Sequence, residues 1–160
     1  MKIPIVVVAF IGLAALGPFR SSARAEHAAP SPQAATSSTE GSQSVWDGIY
    51  TEEQAKRGGA FYSQNCARCH GPDLTGGETA PALASSEFKE TWSGLSVDDL
   101  FERIKISMPQ DNPGSLSRQQ TADILAFVLS RGGFPAGGTE LPREAEVLKQ
   151  IRFEASKPAR

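Results

Sequence analysis

The 160-residue chain is poor in the side chains that most often carry chemistry, with only two cysteines, two histidines and two methionines. It also lacks a long apolar run. The longest, Ile5 to Leu16, is roughly a dozen residues, short of the ~20 needed to cross hydrocarbon. Positive charge is not in excess: 16 Lys plus Arg stand against 18 Asp plus Glu. That balance argues against nucleic acid or an anionic membrane surface as partner. No stretch alternates convincingly with period two, and no glycine-rich loop joins a strand to a helix, which removes the phosphate-cradle class of site.

What is present begins with an address. Lys2, the apolar run and the small-residue triplet Ala23-Arg24-Ala25 have the layout of a cleavable secretory signal, with cleavage after Ala25 leaving Glu26 first. Lys2, Arg20 and Arg24 would leave with it and no acid would, so thirteen basic residues would face eighteen acidic ones, a net charge of about −5. No cysteine lies near the cleavage point to take a lipid. The expectation is a soluble, exported, periplasmic protein without stable membrane insertion.

Residues 26–44 are rich in Ala, Ser, Thr, Pro and Gln and offer little to a core, so they read as a flexible leader. One small domain follows over 45–133, with 134–160 as a C-terminal extension whose Leu141–Phe153 stretch suits either packing on the domain or docking to a partner. Thr51-Glu52-Glu53-Gln54 matches a capping box and opens a first helix, in which Ala55, Gly58, Gly59 and Tyr62 recur at helical spacing before Cys66. A second helix spans Val97 to Ser107, with Leu100, Phe101 and Ile104 on one stripe and Pro109 forbidding continuation. A third is capped by Ser117 and Gln120, turns Ile124, Leu125, Phe127 and Val128 inward, and stops at Gly132-Gly133. Weaker helical signals occupy 86–92 and 143–151. The fold class is therefore all-α with long loops, and its apolar inventory is thin enough to call for a staple such as a metal or cofactor.

Both cysteines lie in Cys66-Ala67-Arg68-Cys69-His70. On a helical turn this run puts two thiols on one face, where each can add to a vinyl group of one porphyrin, while the adjacent imidazole can bind the iron. Three rival readings fare worse. A thioredoxin-like dithiol needs flanking strands, a structural zinc site needs a fourth ligand, and a disulfide across three residues restrains little. The only other histidine, His27, lies in the leader, so no base remains for triad chemistry.

For the second axial position the mature chain has one methionine, Met108. A lone methionine is ordinarily core filler. Here a helix stops one residue earlier and a Pro-Gln-Asp-Asn-Pro-Gly loop follows, which favours ligation. Thioether sulfur would raise the reduction potential, and two protein ligands would leave outer-sphere electron transfer as the activity.

These motifs resemble the class I c-type cytochrome family over about residues 50–132. The resemblance implies a small cytochrome c fold of about three main helices around one covalent haem c per chain. It implies that Gly58 and Tyr62 cross Ile124 and Phe127 on the C-terminal helix. It also implies that Ala80-Pro81-Ala82-Leu83 supplies, from Pro81, the carbonyl that accepts a hydrogen bond from His70. Trp92 is implied either as a donor to a haem propionate or as a core residue. More loosely, residues 92–130 are similar to monohaem cytochromes accompanying quinoprotein dehydrogenases.

The expected cofactor-binding residues are thus Cys66, Cys69, His70, Met108, Pro81 and Trp92, with His70 and Met108 on iron. The expected function is single-electron transfer between redox proteins rather than catalysis, with a quinoprotein dehydrogenase or a terminal oxidase among the partners. Two alternatives stand beside it: a haem enzyme or ligand sensor with an open sixth site, and an accessory haem subunit of a quinoprotein dehydrogenase docking through its tail.

Overall fold

Gly58 is where the architecture is decided. A methyl group on its Cα would lie 1.7 Å from the Asp123 carbonyl oxygen, so only a residue without a side chain lets the two helices meet there. In the computed structural model, which describes residues 43–159, those helices are α1 (Glu52–Asn65) and α5 (Arg118–Arg131). The expected signal segment 1–25 and residues 26–42 of the leader lie outside the described residues. Around the crossing, Gly59 lies under the Phe127 ring and the Tyr62 and Phe127 rings sit 5.2 Å apart. The Asp123 carboxylate, almost fully buried beside the crossing, accepts from Arg57 Nε and Nη2 and from Gln119 Nε2, which satisfies its charge where water cannot.

Between them the chain forms α2 (Ala67–His70), α3 (Ser86–Trp92) and α4 (Val97–Ser107). Helix α4 has the bounds its apolar stripe and Pro109 predict. Its start is fixed by Ser96 and Asp99, each bonding the other's backbone N–H, and α5 opens on the equivalent pair Ser117 and Gln120. The fold is helical as expected. Among the described residues only two short strands occur, β1 (Gln43–Ser44) and β2 (Ile151–Arg152), paired in parallel.

Three expectations need correction. Gln54 does not close a capping box: Thr51 Oγ1 accepts from Gln54 N, but the Gln54 carboxamide turns inward. Fully buried, it donates to the Leu141 carbonyl at 3.1 Å and accepts from Leu141 N at 2.6 Å. The leader does not run to residue 44, since Gln43 and Ser44 are in β1 and Ser44 is buried. Nor is residue 133 a packing boundary. Phe134, Leu141, Leu148, Ile151 and Phe153 share one core with Val45, Tyr50, Val97, Phe101, Leu125 and Leu129.

The tail is drawn in because Tyr50 donates its hydroxyl to the Phe134 carbonyl, Phe153 exchanges backbone bonds with Gly94 and Leu95, and Trp46 donates to the Glu154 carbonyl. Its helix, α6, is only Ala145–Leu148, because Ile151 and Arg152 are taken up in β2.

Candidate functional site

Helix α1 ends where the cysteines begin. Cys66 is its C-cap, with its N–H on the Tyr62 carbonyl, and its own carbonyl accepts from both Cys69 N and His70 N at 3.1 and 3.0 Å. That double acceptance winds residues 66–70 into one turn, which sets the two side chains three residues apart on the same side. Both thiols are free; Cys66 is half-buried and Cys69 exposed. Burial, with a smaller contribution from neighbouring Cys69, pushes the Cys66 thiol up to about 11. A dithiol built for exchange needs the opposite, a thiolate stabilised near neutrality. Among the described residues no three His, Cys, Asp or Glu side chains converge as a metal-holding group.

His70 is buried, and its Nδ1 lies 2.8 Å from the Pro81 carbonyl oxygen. A carbonyl only accepts, so Nδ1 carries a proton, and in the neutral ring that leaves the lone pair on Nε2. The partner is delivered by a folded loop. His70 O accepts from Gly76 N, Gly77 N donates to Ala80 O, and Leu83 N donates to Leu74 O, which stitches residues 80–83 alongside residues 70–77. Gly76 makes the approach possible: at φ +76° a Cβ would stand 2.5 Å from Ala82 N and 2.8 Å from the Pro81 carbonyl carbon. Tyr62 donates its hydroxyl to Gly71 O at 2.6 Å, and its pKa is pushed up to about 12 by burial, then by Cys66 and Asp73. Arg131 of α5 pairs with Asp73 on the same loop. Tyr62, Leu74 and Val128 form a second, smaller apolar cluster, lined by Cys66, Ala67, Leu83 and Phe127.

Met108 is the C-cap of α4, half-buried, with extended backbone and its N–H on the Ile104 carbonyl. Its loop meets the cysteine turn through an ion pair between Arg68 and Asp111. Trp92 closes α3, half-buried; it packs against the larger core and tilts against Phe88 at 6.3 Å. The structure therefore gathers Cys66, Cys69, His70 and Pro81 in one assembly, brings the loop of Met108 to its edge, and sets Trp92 against the larger core.

Gly76, Arg68 and Asp111 are the site residues that the sequence did not single out. The Gly76-Gly77 pair is a visible turn signal for the first; nothing local signals an ion pair across forty residues. The donor set fits a covalent porphyrin: two unpaired thiols on one turn, with an adjacent imidazole whose tautomer is fixed by a second hydrogen bond and whose other nitrogen is available as a ligand.

Comparison with known proteins gives the same direction. The family described as cytochrome c oxidase, cbb3-type, subunit III, matches residues 53–128. A cytochrome bc1 complex cytochrome c subunit from Corynebacterium efficiens is 29% identical over 106 residues, covering 59% of this chain and 34% of that protein. The chain thus spans about a third of the length of that relative. Among solved structures, the sulfane dehydrogenase SoxCD from Paracoccus pantotrophus is similar at a TM-score of 0.45 and 22% identity, over 68% of this chain and 62% of that one.

Proposed function

Starting from residues 53–128 as a cytochrome c domain, whose work is haem-based electron transfer, we propose that this chain is an exported, periplasmic monohaem c-type cytochrome with His70 and Met108 as axial ligands. Cys66 and Cys69 would hold the haem through thioethers. One observation carries the reading: the free thiol pair and the Nδ1-committed imidazole of His70 lie on a single turn. When bound, the haem iron supplies a one-electron ferrous/ferric couple.

The chain's own residues set the conditions of that couple. The Pro81 carbonyl holds the His70 ring in one orientation and raises the basicity of Nε2. Gly76 and the backbone bonds from Gly77 and Leu83 keep that carbonyl in place. Met108, the C-cap of α4, would offer its thioether as the second protein ligand, and a thioether ligand would favour the reduced state of the bound group. Electrons then pass to and from partner proteins without substrate binding. The bc1 subunit among its relatives supports a larger redox complex as partner, beside the dehydrogenase and oxidase partners the sequence suggests. Among the described residues no helix is long and apolar enough to cross a membrane.

Two measurements test this. Acid-acetone extraction should leave the pigment on the protein, with a denatured, reduced spectrum typical of two thioether links. Met108→Ala should lose the weak far-red sulfur-to-iron band and fall sharply in reduction potential. Extractable pigment would refute the covalent haem, and an unchanged spectrum in the variant would refute the ligand.

A further inference from the structure

The loop that carries Met108 is held mostly by itself. Asn112 N bonds Pro109 O and Ser115 N bonds Asn112 O, while Met108 N and the Lys105 ammonium tie the loop only to α4, from which it springs. Among the described residues one polar contact reaches from residues 108–115 to any part of the chain beyond α4: the ion pair of Asp111 with Arg68. Its two ends differ in stiffness. Arg68 sits between Cys66 and Cys69 on a turn fixed by the double acceptance of the Cys66 carbonyl. Asp111 lies three residues past Met108 in a loop without regular structure.

We infer that Arg68 and Asp111 form a latch that positions Met108, tethering its loop to the turn that bears the thiols and His70. This rests on the reading of Met108 as a ligand and adds what keeps it bound. The guanidinium favours the pair because its charge and hydrogen-bond donors meet the carboxylate directly. Yet both side chains are more than half exposed, at 59% and 55%, so the latch is weak and open to salt. A weak tether that is the loop's one polar contact beyond α4 gives the sixth position an ionic-strength-dependent hold. Arg68 and Asp111 are positioning residues, acting only through Met108.

The test uses the mature, haem-loaded ferric protein and imidazole, which must displace Met108 to bind. Loss of the far-red band reports the displacement. At low salt, Asp111→Asn and Arg68→Gln should each bind imidazole about two- to five-fold more tightly than the parent, the range an exposed ion pair commands. The double variant should be no tighter than either single one. The charge swap Arg68→Asp with Asp111→Arg should restore parental affinity, and raising sodium chloride should bring the parent towards the variants, whose own affinities stay nearly constant. A parent that shows the far-red band while both single variants bind imidazole as it does would overturn the latch and leave Met108 as ligand intact. A parent without that band would overturn both. Additive effects in the double variant would also sink the proposal, because the two side chains would then not act as a pair.

Discussion

Replacing Gln54 by leucine tests how the C-terminal segment is held. The side chain is fully buried in α1, and its carboxamide serves both backbone groups of Leu141, donating at 3.1 Å and accepting at 2.6 Å. Leucine keeps the volume roughly and the helix propensity fully, so the loss is confined to those two bonds. Each buried backbone group left without a partner costs about 1–3 kcal/mol, which puts Gln54→Leu roughly 2–6 kcal/mol below the parent, a large share of a domain's stability. Urea unfolding of the haem-loaded protein, followed by far-ultraviolet circular dichroism, would measure it.

Gln54→Glu sharpens the test. A carboxylate there still accepts from Leu141 N but sets a second oxygen against the Leu141 carbonyl, so the protonated form is favoured and the folded-state pKa is raised. A raised pKa means stability that is complete below the unfolded value, about 4.3, and is lost as pH climbs through the folded value. The glutamate variant should therefore approach the parent in acid and fall away towards neutrality. If Gln54→Leu lies within about 0.5 kcal/mol of the parent, the scale of an ordinary surface substitution, the carboxamide is not what fastens the tail.

Two further outcomes follow from the same reasoning. Gly76→Ala should lose about 1–2 kcal/mol from the left-handed backbone alone, and because its Cβ would press on Ala82 and Pro81 it should loosen the His70 hydrogen bond and raise the reduction potential; a voltammetric potential equal to the parent's would contradict this. Asp98 is a buried carboxyl whose pKa is raised, by burial first and by Glu102 second, and one of its oxygens has no partner. Its charge therefore opposes folding above the carboxylate range, so Asp98→Asn should be more stable than the parent at pH 7, with the gap closing below about pH 4. Denaturation curves at the two pH values that show a constant gap would rule this out.

What could be read beforehand was what is written locally. The stripe of Leu100, Phe101 and Ile104 before Pro109 gave α4 its bounds, and the Ser117–Gln120 pair gave α5 its start. The Cys66–His70 turn announced itself by spacing, whereas the crossing at Gly58 was implied only by the resemblance to class I c-type cytochromes. The misreadings all involve a partner far along the chain. Gln54 fits a capping rule at three residues' distance, but its actual partner, Leu141, is 87 residues away. The tail looked like an extension because Phe134, Leu141 and Phe153 are scattered singly among loops, and only the assembled core shows that each has a place.

The short pairing of residues 43–44 with residues 151–152 has a consequence for how such a unit can be used. Because the two strands run parallel, the start of the first and the end of the second lie at opposite ends of the pair, so tension drawn through both would load its hydrogen bonds in shear together rather than peel them one by one.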